Sequence, residues 1–358
     1  MSGEPVVIGA GPAGCAAAIR LARAGHRPLL IDRDETARDS ICGGFLSWQT
    51  AEALREIGLD PAAHGAHRVD TLAIFAGEAE ARAVLPAPAF GLSRRTMDNA
   101  LRSLASHAGA ELVVDRIRSI DGAEAIGENA TYRGDALFLA SGKTDVRGLA
   151  RPREATDPAL GIRLHAIPDQ GLATILSGRI ELHLFDGGYA GIVLQEDGRA
   201  NICLAVRKSL LALSGGHPRM LVDRLADGHP SFGMRMAFVA RDAIVDTIAS
   251  VPYGWRAEAG VSGVFRMGDQ AAAIPSLAGE GMGIALASAA DAVAAYLSDG
   301  AAAAPAYQRA FARRARRPLA AAGLLWSVGE TPAGARLLRS VTHTMPSLAH
   351  FAMRASRI

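Results

Sequence analysis

The spacing of apolar positions along this chain changes several times, and each change marks an element. Residues 5–10 form a short apolar run that reads as a buried strand. A glycine-rich turn follows, then AAAIRLARAG, whose apolar positions recur at helical spacing as far as Gly25. A second apolar run ends at Asp32, so the opening segment reads as a strand–helix–strand unit with a parallel crossover. Further helices are expected from about Trp48 and over GLSRRTMDNALRSLASHAG, with a strand over ELVVDRIRSI. DALFLASGK (135–143) is a continuous apolar run ending in Ala140-Ser141-Gly142, the form of a buried parallel strand whose C-terminal end meets a ligand crevice. Residues 185–206 hold two strand candidates around the turn Glu196-Asp197-Gly198-Arg199. Residues 263–297 read as a strand, a glycine-rich loop and a long helix. Residues 301–305 read as an Ala/Pro-rich linker, and 331–358 as helical and partly amphipathic.

The first turn carries Gly9, Gly11, Pro12, Ala13 and Gly14. Glycines there allow a tight turn, close backbone approach to a pyrophosphate and close packing of helix on strand, with helix N-terminal amides facing the phosphates. Asp32, at the end of the second strand, is placed to accept from a ribose hydroxyl pair. Arg33 beside it either packs on an adenine or sits in a solvated loop. This unit alone does not decide between NAD and FAD. The rest of the chain does, because a glycine-rich loop and an insertion follow the second strand where a simple NAD dehydrogenase would continue with alternating strands and helices. In GVFRMGDQAAAIPSLAGEGMG, Asp269 is suited to hold a polyol hydroxyl, and Gly279-Glu280-Gly281-Met282 offers backbone amides at a helix N-terminus.

With these segments in order, the chain resembles the FAD-dependent oxidoreductases of the p-hydroxybenzoate hydroxylase and geranylgeranyl reductase superfamily. The matching features are GAGPAG with Asp32, Arg94 to Asp98, Ala140-Ser141-Gly142, and Gly268-Asp269 with Pro275 and Gly279-Glu280-Gly281. The resemblance spans roughly residues 4 to 300. It implies an α/β fold: a Rossmann-like FAD-binding domain of glutathione-reductase type, an inserted antiparallel-sheet substrate domain, and C-terminal helices. The expected FAD domain is 1–65, 93–162 and 253–300, the substrate domain 66–92 and 163–252, and the helical segment 301–358. The cofactor residues it implies are Gly9, Gly11, Pro12, Ala13, Gly14, Asp32 and Arg33, then Cys42, Gly43 and Gly44 in the loop passing the flavin. Arg94, Gly142, Gly268, Asp269, Gly279, Gly281 and Met282 complete the set.

Cys42 is placed near the flavin, either as a small packing residue or as a substrate-facing, redox-active thiol; no histidine or lysine within its loop would lower its pKa. His183 and Tyr189 are polar candidates in an otherwise apolar substrate domain, and an isolated strand histidine is as a rule structural. Around Tyr189, FDGGYAGIV resembles the Gly-Tyr segment of the geranylgeranyl reductase branch, with Ala190-Gly191 where an aromatic is usual. The small residues make room for a bulky or flat substrate, or for a tight sheet crossing. The leading expectation is a flavoprotein monooxygenase acting on a hydrophobic small molecule through a flavin C4a-hydroperoxide. The alternatives are a flavin-dependent reductase of isoprenoid or polyketide double bonds, with hydride from the flavin and a proton from a nearby acid such as Cys42, and a non-catalytic FAD-binding redox sensor.

Composition narrows the classes further. Thirty-eight basic against 36 acidic residues leave +2, so no overall field recommends nucleic acid or an anionic membrane as the main partner, and any functional charge must be local. Arg309, Arg313 and Arg316 or Arg317 recur at helical spacing, which reads as a solvated face or as a contact with an anionic partner, a membrane surface or an acyl carrier. Cysteines 15, 42 and 203 show no metal-ligand spacing, and His64 with His67 has no accompanying ligands, so no metal is expected. SGKT at 141–144 lacks the P-loop glycine, Leu137 standing in its place; no GxSxG elbow appears; and the three tryptophans do not form the halogenase WxWxI pattern. Ser141-Gly142-Lys143 stands where aromatic hydroxylases carry Asp-Gly, and no second GxGxxG marks a nicotinamide domain. NAD(P)H is therefore expected only as a transient donor, with a partner protein as the other source of electrons. The N-terminus lacks a signal-peptide pattern and no uncharged run reaches spanning length, giving an expectation of cytoplasmic location with peripheral membrane contact allowed.

Overall fold

The structure, a computed structural model, describes residues 3–152 and 155–358. A five-stranded sheet, parallel throughout, runs in the order Val264–Arg266, Leu137–Leu139, Val6–Ile8, Leu29–Asp32, Glu111–Val114. Strands this short and apolar need cover on both faces. Helices Pro12–Arg23, Arg94–Ala108 and Gly281–Asp299 supply it on one side, meeting Val7, Phe138 and Phe265 in the main core. Ala16, Ala17 and Ala18 are fully buried there, and their small side chains let the first helix lie close to its neighbours. On the other side Val6, Ile8, Leu137, Leu139 and Val264 pack under a three-stranded antiparallel sheet, Ser119–Asp121, Glu124–Ile126 and Thr131–Arg133.

A second, eight-stranded sheet runs in the order Asp246–Val251, Ala159–Ala166, Ala200–Arg207, Gly188–Leu194, Gly178–Phe185, His67–Ala76, Ala79–Gly91, Phe45–Leu46. The expected antiparallel insertion needs one correction: Gly178–Phe185 and His67–Ala76 run parallel. This seam joins the two separate stretches of the insertion, and without a hairpin between them nothing in the chain imposes opposite directions. Alternation along Gly178–Phe185 sends Ile180, Leu182 and Leu184 toward a cavity and Arg179, Glu181 and His183 to the other face. That other face buries Leu160, Ile162 and Leu164 against helices Pro218–Gly228 and Pro230–Met236.

Residues 301–305 are not a linker. They form a 3-10 turn, Gly300–Ala303, and the start of helix Ala304–Gly329. Alanine favours helix, and Pro305 falls in the first turn, where its missing N–H is harmless. Helices Pro332–Thr344 and Pro346–Ala355 follow, and Trp326 and Ala335 pack on Ile74, Leu184 and Tyr189 of the eight-stranded sheet. The stretch Gly281–Gly329 contains one window apolar enough for a membrane span by length and composition, of which 56% is buried inside the protein, as in a core helix.

Candidate functional site

A cavity of about 1040 Å³ lies between the parallel sheet and the eight-stranded sheet, with a polar cradle at one end and an aliphatic chamber at the other. The cradle starts at helix Pro12–Arg23, which begins at Gly11 without a side-chain cap, so its first amides and positive dipole end face the cavity. Gly14 is obligatory for contact rather than conformation: a Cβ there would stand 1.8 Å from the Gly9 carbonyl oxygen. Asp32 accepts from the Ala10 amide at 2.7 Å and pairs with Arg102 at 3.0 Å. Arg102 also donates to the carbonyls of Ala10 and Asp34, tying together the ends of the first two strands.

Arg94 and Asp98, one helical turn apart, form a buried bidentate pair at 2.6 and 3.0 Å. Burial opposes the Arg94 charge, but the Asp98 carboxylate outweighs it and holds the guanidinium above its ordinary pKa. Ser93 caps this helix through the Thr96 amide, and Glu196, from the hairpin turn of the second sheet, accepts from the Ser93 amide at 2.9 Å and from both hydroxyls. Helix start and hairpin turn are thereby clasped.

The Cys42-Gly43-Gly44 loop lies against the same cavity. Asn201 Nδ2 donates to the Cys42 carbonyl at 3.0 Å. Gly44 has φ 69°, and a Cβ on it would be 2.6 Å from Gln195 Nε2, so only glycine fits. Opposite, Arg151 fixes the turn after the Leu137–Leu139 strand by donating to the carbonyls of Lys143 and Asp269 at 2.9 Å each. Gln270 donates to the carbonyls of Gly142 and Thr144. Lys143 Nζ then stands 3.3 Å from Asp269, whose carboxylate raises the lysine pKa against the effect of burial. In the Gly279–Met282 turn, Glu280 is 1% exposed and accepts from Ser47 at 3.1 Å and Arg357 at 2.6 Å. Burial pushes its carboxyl pKa up, and Arg357 draws it partly back.

These residues fit FAD. The uncapped helix end and Arg94 would hold the pyrophosphate, Asp32 the adenosine ribose, and Asp269 the ribityl chain. Gly43 and Gly281, where an added Cβ would meet open space, leave room for the ring system. Arg33 lines the rim but keeps half its side chain in solvent, ion-paired to Asp34.

The chamber beyond is walled by Leu72, Ile74, Ile180, Leu182, Leu184 and Val328. Its main polar feature is a trio: Tyr189 donates to Ser276 Oγ at 3.0 Å and Tyr253 donates to the same oxygen at 2.8 Å. Burial pushes Tyr253 up to about 12 and Tyr189 well above the ordinary phenol value, so both keep their protons. Cys42 and Cys203 also face the cavity, and burial pushes the Cys203 thiol up to about 12. Gly191 lines the chamber, whereas Ala190 beside it is buried.

One expected candidate is corrected. His183 does not reach the cavity; it stacks on Phe75 at 4.4 Å and meets the Glu181 carboxylate at 3.1 Å on the far face of the sheet. Strand alternation decides this, since Leu182 and Leu184 take the cavity side. His67 accepts from the Gly178 amide at 3.1 Å. Sequence reading missed Tyr253, Ser276, Lys143, Arg102 and Arg357 as site residues. It also missed the surroundings of Cys42, whose sulfur lies within electrostatic range of Arg94 and Lys143. The available signal was proximity of Ser276 to Pro275 and of Lys143 to Gly142; the others come from elements far apart in sequence.

Comparison with known proteins gives the same picture. Residues 4–120 match the FAD binding domain family. The menaquinone reductase of Mycobacterium tuberculosis is 30% identical over 310 residues, covering 78% of this chain and 73% of that protein. The digeranylgeranylglycerophospholipid reductase 1 of Methanopyrus kandleri is 25% identical over 304 residues, covering 80% and 78%. Among solved structures, a geranylgeranyl bacteriochlorophyll reductase-like protein from Thermoplasma acidophilum superposes with a TM-score of 0.75 at 17% identity, over 99% of this chain and 95% of its own. The flavin-dependent brominase Bmp2 superposes at 0.73 with 16% identity over 99% and 90%, so the fold alone does not separate a reductase from a brominase.

Proposed function

This chain belongs to the FAD-dependent oxidoreductases of the p-hydroxybenzoate hydroxylase and geranylgeranyl reductase superfamily, and from that premise we propose that it reduces a carbon–carbon double bond in a long isoprenoid-like lipid. The observation that carries this reading is the chamber: a largely aliphatic wall that carries the hydroxyl trio of Tyr189, Tyr253 and Ser276. The aliphatic part of the wall suits a hydrocarbon chain, and the trio suits a single proton delivery. The reductase names of the two relatives support the same choice, and an isoprenoid quinone is the first substrate to try.

Bound FAD, once reduced, supplies a hydride. The residues of this chain supply the rest. Leu72, Ile74, Ile180 and Leu182 hold the hydrocarbon and keep water away from the reacting carbons. Ser276 accepts two hydrogen bonds, so its own O–H is free to turn to the substrate. Where the flavin would supply hydride to one alkene carbon, the Ser276 hydroxyl would give its proton to the other, Tyr253 Oη would pass its proton to Ser276 Oγ, and the phenolate left on Tyr253 would take a proton back from water once product leaves. The double bond gains two hydrogens and the two electrons come from the reduced flavin. Arg94 and Lys143 are each offset by a carboxylate, Asp98 and Asp269, so on the cradle side they supply hydrogen-bond donors rather than net positive charge. Electrons enter from a nicotinamide that binds transiently or from a partner protein.

The monooxygenase reading shares the cofactor and the closed chamber, and oxygen separates the two. Purified protein is loaded with FAD, reduced without oxygen, and mixed with a menaquinone in detergent in deuterated water. A product saturated at one double bond, with solvent deuterium on both carbons of the former alkene because the flavin N–H and the serine O–H both exchange with solvent, supports reduction. No saturated product under these conditions, with an oxygenated product in air, refutes it.

A further inference from the structure

The cavity opens among the C-terminal helices, and its mouth differs in composition from the rest of the surface. We infer that this mouth docks on an anionic phospholipid bilayer, from which a lipid passes into the cavity without crossing water. The inference deepens the reductase reading and rests on it for the fate of the lipid; the docking itself does not depend on it.

Leu324, Leu337 and Leu348 line the cavity, yet they are 66%, 57% and 43% exposed. A side chain that does both stands at the mouth. Phe351, 68% exposed, follows Leu348 by three residues and so lies on the same side of helix Pro346–Ala355, and Met345, 51% exposed, stands just before that helix. Single exposed apolar side chains are ordinary, but a cluster around the opening of an apolar chamber is the mark of a contact surface.

Charge selects the partner. Residues 301–358 hold nine arginines and one acid, Glu330, in a chain whose net charge is only +2. Glu330 is fully engaged by Arg207 through two bonds of 2.7 Å. Within this stretch Arg314 pairs with Asp291 and Arg357 with Glu280, whereas Arg313, Arg317, Arg336 and Arg354 make no such pair among the described residues. Arg313 and Arg317 precede Leu324 by eleven and seven residues. At about 100° per residue, both project within about 20° of Leu324 on the same helix. Arg354 follows Phe351 by three residues and shares its side of the last helix. Apolar side chains flanked by arginines are how a protein sits in a bilayer interface, the former entering the acyl boundary and the latter meeting lipid phosphates. A second copy of this chain is disfavoured, because a two-fold contact would set the same arginines against themselves.

The test uses full-length, FAD-loaded protein and vesicles without substrate. Flotation with phosphatidylcholine vesicles is compared with flotation when about a quarter of the lipid is phosphatidylglycerol. We expect more than about 25-fold more protein on the anionic vesicles, at about fivefold for each arginine that meets the surface, declining with added salt. Arg336→Gln with Arg354→Gln should lower partitioning about 25-fold, at about fivefold per arginine. Phe351→Asp should abolish it while leaving the melting temperature and the turnover of detergent-solubilised substrate unchanged. Equal binding to both vesicles, no binding, or binding indifferent to Phe351→Asp overturns the inference. So does a dimer on gel filtration that Phe351→Asp converts to monomer. If vesicles bind as expected but no lipid is reduced in detergent, the docking stands and the reductase reading falls.

Discussion

Replacing Arg357 by methionine separates charge from packing, because the new side chain keeps an apolar stem over Trp48, where the guanidinium now lies 4.9 Å from the ring centroid. What is lost is the Nη1 group that donates to the Ala278 carbonyl and to Glu280 Oε2, both at 2.6 Å. Arg357 and Glu280 have side chains 6% and 1% exposed, so the variant strands a carboxylate in the interior. Removing one partner of a buried pair costs about 3–5 kcal/mol when the survivor stays ionised. Glu280 has an exit by protonation. Its folded pKa already lies above the 4.5 of a free glutamate, so its stabilising contribution is complete below 4.5 and is lost as pH rises through the folded value. Without Arg357 that value climbs further. Toward pH 5 the deficit should then shrink to the lost hydrogen bonds, about 1–2 kcal/mol; between the folded value of the parent and the higher one of the variant it should widen by about 1.4 kcal/mol per pH unit, and it should level off once the variant's carboxyl ionises. Urea unfolding of Arg357→Met and of the double variant with Glu280→Gln, at about pH 5 and about pH 8, measures this, with retained flavin as a second readout. The double variant should be the more stable of the two at about pH 8. A deficit equal at both pH values, or a double variant as unstable as the sum of its singles, would refute the reasoning.

Three further outcomes follow from the site. Tyr253→Phe removes one donor to Ser276 and should lower kcat about 10²-fold or more while leaving substrate affinity within a few-fold, with a larger solvent deuterium effect if proton delivery becomes limiting; unchanged kcat excludes the trio from catalysis. Gly14→Ala forces a Cβ to within 1.8 Å of the Gly9 oxygen and should abolish flavin retention, measured as bound FAD after gel filtration. Glu181, fully buried, is held at a pKa of about 2: burial pushes it up, and hydrogen bonds from His183 and Arg235 outweigh that. Its contribution to stability is present above the free value of 4.5 and should fade as pH drops toward about 2, so Glu181→Gln should flatten the acid limb of a melting-temperature profile.

The cradle was legible in the sequence because its chemistry sits on local turns. Gly9 to Gly14, Asp32 and the Gly279–Met282 turn are each set by a strand end and the helix after it, and periodicity reveals both. The chamber was less legible. Tyr189 was visible because it stands in a strand with a recognisable neighbour, but Tyr253 and Ser276 meet it only through packing between the eight-stranded sheet and the loop before helix Gly281–Asp299. His183 was misplaced because a strand register, unknown from sequence, chooses which alternate residues face the ligand. The linker at 301–305 was misread because alanine and proline together signal either a flexible spacer or a helix start, and only the packing of Ala304 in the main core selects the second.

The order of strands in the parallel sheet bears on how the protein is assembled. Val6–Ile8 and Leu29–Asp32 can pair early, but Leu137–Leu139 stays an edge on one side until Val264–Arg266 arrives, after the whole 159–251 portion of the eight-stranded sheet has been made. Contacts so distant along the chain form late and slowly. The hairpins of the second sheet join near neighbours and can form first, giving an intermediate with an unpaired strand edge and an unfinished nucleotide crevice. Such an edge invites pairing with another chain. Flavin can be gripped only after the last strand docks, so adding FAD during refolding should capture the finished form and draw the slow step to completion by mass action.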